Sequence, residues 1–125
     1  RHGQRVFAIA CDDVHVACDL FGGWVCVKAE ERTREAVLKA LFKGEYYSSS
    51  GPEIYDFGLD GDQVYIECSP CREVHMISYP PRGKTSFADG QTEAVFALTG
   101  REKYIRIECI DNSGRVAWTN PIFFD

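Results

Sequence analysis

The chain opens on a run, Arg5-Val6-Phe7-Ala8-Ile9-Ala10, that is apolar at every position after the arginine. An unalternating run of this length is what a parallel strand shows when both faces of its sheet are covered. Charge then enters abruptly at Asp12 and Asp13, turn composition follows over residues 19–23, and residues 24–28 alternate as a short strand. One helix is predicted next. Thr33 is its N-cap, Glu35 lies in its first turn, Val37, Leu38, Leu41 and Phe42 form an apolar stripe, Lys39 and Lys43 lie near its end, and Gly44 closes it. A strand, turn, strand and helix cannot cover a buried parallel strand by themselves. Residues 1–50 are therefore expected to be the end of an α/β barrel.

After Ser48-Ser49-Ser50-Gly51-Pro52 the hydrophobic period changes to two. Short strands are expected at 53–59, 63–68, 73–79, 93–98, 103–110 and 115–118. Turns fall at Asp60-Gly61-Asp62, Pro80-Pro81-Arg82-Gly83 and Asp111-Asn112-Ser113-Gly114. This spacing predicts an antiparallel β-sandwich domain over residues 51–125, with Ile105, Ile107 and Cys109 facing inward and Arg106 and Glu108 facing solvent. The fold class expected is thus α+β, a barrel remnant followed by a sandwich.

A length of 125 residues, 45% of them hydrophobic, fits one ordinary core or a compact domain with an appendage. Fourteen Lys and Arg stand against nineteen Asp and Glu, for a net charge of -5, and the positive residues are scattered. That distribution argues against a nucleic-acid partner. No apolar run approaches the roughly 18 residues of a membrane span, and no charged-then-apolar leader begins the chain, so a soluble, cytoplasmic protein is expected. The chain starts at Arg1 and passes almost at once into an apolar run, which suggests a piece of a longer protein. Six cysteines, at 11, 18, 26, 68, 71 and 109, are expected to be reduced thiols.

Candidate chemistry concentrates in Asp12-Asp13-Val14-His15, directly after the first apolar run. In a parallel barrel, active sites are built at the C-terminal ends of the strands. Asp13 and His15 are two positions apart, so on extended backbone they point the same way. A carboxylate oxygen with an imidazole nitrogen suits zinc, manganese or iron, and adjacent metals can generate hydroxide and stabilise a leaving oxygen. The plainer alternative is a loop in which an aspartate caps a turn and His15 lies at the surface. Two donors also fall short of the three protein ligands of a catalytic zinc.

The string 5–15, followed by Phe21-Gly22-Gly23-Trp24-Val25-Cys26-Val27-Lys28-Ala29, resembles the last metal motif of one branch of the polymerase-and-histidinol-phosphatase (PHP) family. Gly44-Glu45-Tyr46-Tyr47-Ser48-Ser49-Ser50-Gly51-Pro52 resembles that branch's Gly-x-x-Tyr-x-Ser-x-Gly-Pro element, and the segment from Lys103 to Ile122 resembles its C-terminal strands. The resemblance implies a metal-dependent phosphoesterase that hydrolyses a small phosphorylated substrate with metal-activated water. It implies Asp13 and His15 as metal ligands, with the other ligands supplied by an upstream barrel domain of the same chain. On this reading Asp12 orients a ligand, while Tyr47, Ser49 and Ser50 are candidates for the substrate entrance. The isolated chain is then expected to be inactive.

Other signals point elsewhere. Arg1-His2-Gly3-Gln4-Arg5 has the form of the histidine-phosphatase string, but it precedes a strand where that family's string follows one. Cys68-Ser69-Pro70-Cys71 has metal-knuckle or redox spacing without a second pair, and reads as a turn between strands. His75 is expected to serve packing or the surface. A second class of function is a non-catalytic β-sandwich that docks onto another domain.

Overall fold

The computed structural model describes residues 4–125, so His2 of the phosphatase-like string lies outside the described residues. The elements are β1 (Trp24–Val27), α1 (Arg34–Lys43), β2 (Tyr46–Ser49), β3 (Ile54–Asp60), β4 (Gln63–Tyr79), β5 (Lys84–Ala97), β6 (Tyr104–Ile110), β7 (Val116–Thr119) and β8 (Ile122–Phe123). All eight strands join one antiparallel sheet in the order β1-β2-β7-β6-β4-β3, with β5 beside β4 and β8 beside β6. The expected sandwich of two facing sheets is replaced by this single curled half-barrel. The reason lies in β4, which is long enough to pair with β3 at residues 54–60 and then, further along, with β6, while β5 pairs with it along most of its length. Because β2 pairs with both β1 and β7, strands from either side of residue 50 share the sheet.

The core follows from alternation. On β4, Val64, Ile66 and Cys68 and then Val74 and Met76 point inward, and on β6 Ile105, Ile107 and Cys109 do the same. Each of the buried aliphatic side chains contributes about 1.5–3 kcal/mol by leaving water. Two register shifts, between Glu67 and Cys71 and between Cys71 and Glu73, interrupt β4. In a regular strand residues three apart face opposite sides. A bulge re-aims them, and Pro70, which has no N–H to give a ladder, sits inside it. Cys68 and Cys71 both end up buried. The turn expected at Cys68-Ser69-Pro70-Cys71 is therefore a bulged stretch of continuous strand.

The helix matches its sequence signals at both ends. Thr33 Oγ1 accepts from Ala36 N at 3.2 Å, and Gly44 takes the left-handed conformation at φ 76°. Its apolar stripe is covered only in part: Ala40 is buried, whereas Phe42 is 85% exposed. Residues 5–10 depart from expectation. They run without strand pairing, and Val6 and Ile9 are 67% and 64% exposed. No strand pairs its backbone with them among the described residues, so the run attaches through side chains of the sheet and its own Phe7. Ala10 N donates to Ser48 Oγ, that hydroxyl donates to Ala8 O, and Phe7 packs over Gly44 and Phe123. No helix among the described residues is long and apolar enough to cross a membrane.

The β5–β6 connection is closed by Glu102, whose carboxylate accepts from Thr99 N at 3.0 Å, Thr99 Oγ1 at 2.8 Å and Arg101 N at 3.2 Å. Burial pushes its pKa up, but the bonds from Thr99 and Arg101 outweigh burial and bring it down from 4.5 to about 2. A lowered folded pKa means stability that is present above the unfolded value and lost as pH falls through the folded one. Glu102→Gln should therefore cost about 1–3 kcal/mol near neutral pH. The gap should narrow between pH 4.5 and about 2. Urea unfolding of both proteins across that window checks this; a gap independent of pH contradicts it.

Candidate functional site

The loop over residues 12–23 is built by two carboxylates turned onto its own backbone. Asp12 Oδ2 accepts from Phe21 N at 2.8 Å, and its Oδ1 accepts from Gly22 N at 2.8 Å and Gly23 N at 2.9 Å. Asp19 Oδ2 accepts from His15 N at 2.9 Å and Val16 N at 3.0 Å, next to a single 3-10 turn at Ala17–Asp19. The bonds from Gly23, then Phe21, hold the Asp12 carboxyl below its ordinary range, and those from His15 and Val16 do the same for Asp19. Carboxylates that accept several backbone N–H groups are stabilised in the charged form. Phe21 sits at φ 64°, a conformation that costs a non-glycine residue about 1–3 kcal/mol and persists only where surrounding bonds impose it.

Within this frame Asp13 and His15 point outward, with side chains 98% and 77% exposed. His15 Nδ1 lies 3.7 Å from Asp13 Oδ1 and 3.1 Å from the carbonyl oxygen of Asp13. A carbonyl only accepts, so in that bond Nδ1 is the donor, and a cation would have to be met by Nε2. The carboxylate and the imidazole ring are both presented to solvent.

Asp12, Asp13, Gly22, Gly23 and Ser50 line one open cleft of about 520 Å³, with Trp118 across from the loop. The remaining candidates separate. Ser49 is fully buried; its hydroxyl donates to Pro52 O at 2.6 Å and accepts from Gly51 N at 2.9 Å. Ser50 Oγ donates to Val116 O and accepts from Val116 N, so its hydroxyl is bound to β7. Tyr47 opens onto a different depression, beside Cys26 and Ile54, and burial, with the Cys26 thiol, raises its hydroxyl to about 12. Trp118 was not anticipated as a cleft residue. Its alternation on a short strand carried no sign that it would line a cleft with residues of the 12–23 loop.

His75 joins a surface network on the outer face of β4, its Nε2 2.9 Å from Glu73 Oε2 and its Nδ1 2.9 Å from Thr85 Oγ1. Arg72 completes it by pairing with Glu73 at 3.2 Å. Set against protein-family models, curated proteins and solved structures, the chain matches none.

If Asp12 is what holds the far end of the loop, Asp12→Ala frees three backbone N–H groups at once. Amide exchange at residues 21–23 should then accelerate on the order of tenfold or more, with Asp12→Asn intermediate because one acceptor oxygen remains. Hydrogen-exchange mass spectrometry reads the effect, and unchanged exchange in Asp12→Ala contradicts the role given to it.

Proposed function

We propose that this chain forms the final part of a metal-dependent phosphoesterase of the PHP type, in which Asp13 and His15 serve as two of the ligands of a divalent-cation centre. The observation that carries the reading is that the Asp13 carboxylate and the His15 ring both stand open to solvent, two residues apart, on a loop fixed by Asp12 and Asp19. The donor chemistry fits zinc, manganese or iron: one hard carboxylate oxygen and one imidazole that would meet the cation through Nε2. Two donors need others, and the surroundings suit a covering domain. Val6, Ile9, Val14, Val16, Leu20 and Phe21 are all exposed, the last at 83%. Large apolar side chains left exposed in number on one segment of the chain suit an interaction face; on this reading the upstream barrel covers them and brings the missing ligands.

Bound cations would supply an activated water for attack on a phosphate ester and neutralise charge on the leaving oxygen. The chain's own residues contribute position. Both oxygens of Asp12 are engaged by backbone N–H groups, so Asp12 acts on the loop and leaves ligation to Asp13. The Nδ1 bond to the Asp13 carbonyl orients the His15 ring and fixes which nitrogen faces outward. The same apolar side chains favour a second reading, a non-catalytic docking module in which the Asp-His pair is incidental.

The two readings part on one experiment. A chain extended upstream of Arg1 should retain divalent metal and hydrolyse a generic aryl phosphate, and Asp13→Ala or His15→Ala should each lower kcat/KM by at least about 100-fold. Full activity in both variants removes the site; absence of metal and of hydrolysis in the extended chain favours the docking module.

A further inference from the structure

The bulge in β4 creates a second constellation, made of sulfur donors. Cys68 and Cys71 come inward from β4, and Cys109 comes inward from β6, where it lies opposite Val74. The three sulfur atoms lie within 4.8 Å of one another, and all three residues are at most 1% exposed. We propose that Cys68, Cys71 and Cys109 form a three-thiolate site for a thiophilic d10 cation, zinc(II) or copper(I), that cross-links β4 to β6 at the bulge.

Geometry is the first argument. Three sulfurs around one cation at the usual zinc–sulfur distance of about 2.3 Å are about 4.0 Å apart when planar. An equilateral triangle with the observed 4.8 Å limit as its side needs each sulfur to move inward by only about 0.5 Å to reach that bond length.

Donor type is the second argument. Sulfur-only ligation selects soft cations and excludes magnesium and calcium, which require oxygen. Burial at this depth keeps bulk water from the site, which favours copper(I) over zinc(II), since zinc takes four ligands in structural sites.

Placement is the third. The bulge brings Cys68 and Cys71 to the same buried side as Cys109, so all three thiol groups meet at one point between β4 and β6. A cation takes the place of the thiol protons: the thiols deprotonate, three metal–sulfur bonds form and the protons leave to solvent.

The test uses the whole chain, reduced and stripped of metal, then given one equivalent of zinc(II) or of copper(I) under anaerobic conditions. After gel filtration, elemental analysis should find about one cation per chain in at least one arm, and the arm that retains it identifies the cation. X-ray absorption on that sample should count three sulfur neighbours and no nitrogen or oxygen, a readout that needs no variant to fold. Cys68→Ser and Cys109→Ser should each weaken retention at least tenfold, while Cys18→Ser, which removes an exposed thiol of the loop, leaves it unchanged. Retention in neither arm, a nitrogen- or oxygen-containing shell, or equal retention by Cys109→Ser overturns the proposal.

Discussion

The Asp12 carboxylate accepts hydrogen bonds from three consecutive backbone N–H groups, at residues 21, 22 and 23. Hydrogen bonds to an ionised acceptor are the strong ones, and three on one group set the path of the chain. They hold Phe21 in a left-handed conformation that its side chain disfavours and deliver the chain to β1 in register. Asp19 repeats the device on the near side of the loop. Asp13 and His15 are exposed because their neighbours are turned inward onto backbone, so the candidate site rests on residues that do not themselves face it.

The sheet depends on a different constraint. β4 must serve β3 and β6 in succession while keeping one face dry, and the irregular stretch around Pro70 lets it do so. The same irregularity turns two cysteines to one side and brings them against a third on β6. One feature of backbone geometry therefore gives both the curvature of the sheet and a polarizable cluster in its core. The loop and the thiol cluster differ in every respect that governs ligand choice: hard donors open to solvent in one, soft donors sealed from it in the other.

Local signals in the sequence carried the elements whose determinants are local. Thr33 and Gly44 bracket the helix because a side-chain cap and a left-handed glycine act within a few residues. The alternation of Ile105, Ile107 and Cys109 gave the inner face of β6. What escaped was decided by distant partners. The string Ser48-Ser49-Ser50-Gly51-Pro52 marks a change of pattern in the sequence, yet Tyr46–Ser49 is a strand because β1 and β7 pair with it from both sides. Residues 5–10 have the composition of a buried strand and lack the neighbours that would make them one. In the candidate site, an aspartate capping a turn was among the alternatives the sequence offered, but that Asp12 would gather three N–H groups nine to eleven residues away was not legible.

The proposal that Asp13 and His15 share a cation is open to anomalous diffraction at the metal absorption edge, on crystals of a chain extended upstream of Arg1. An anomalous peak is expected about 2.0–2.2 Å from an Asp13 oxygen and from His15 Nε2 if the proposal holds. A metal peak ligated entirely by other residues, with Asp13 and His15 left facing solvent, would contradict it.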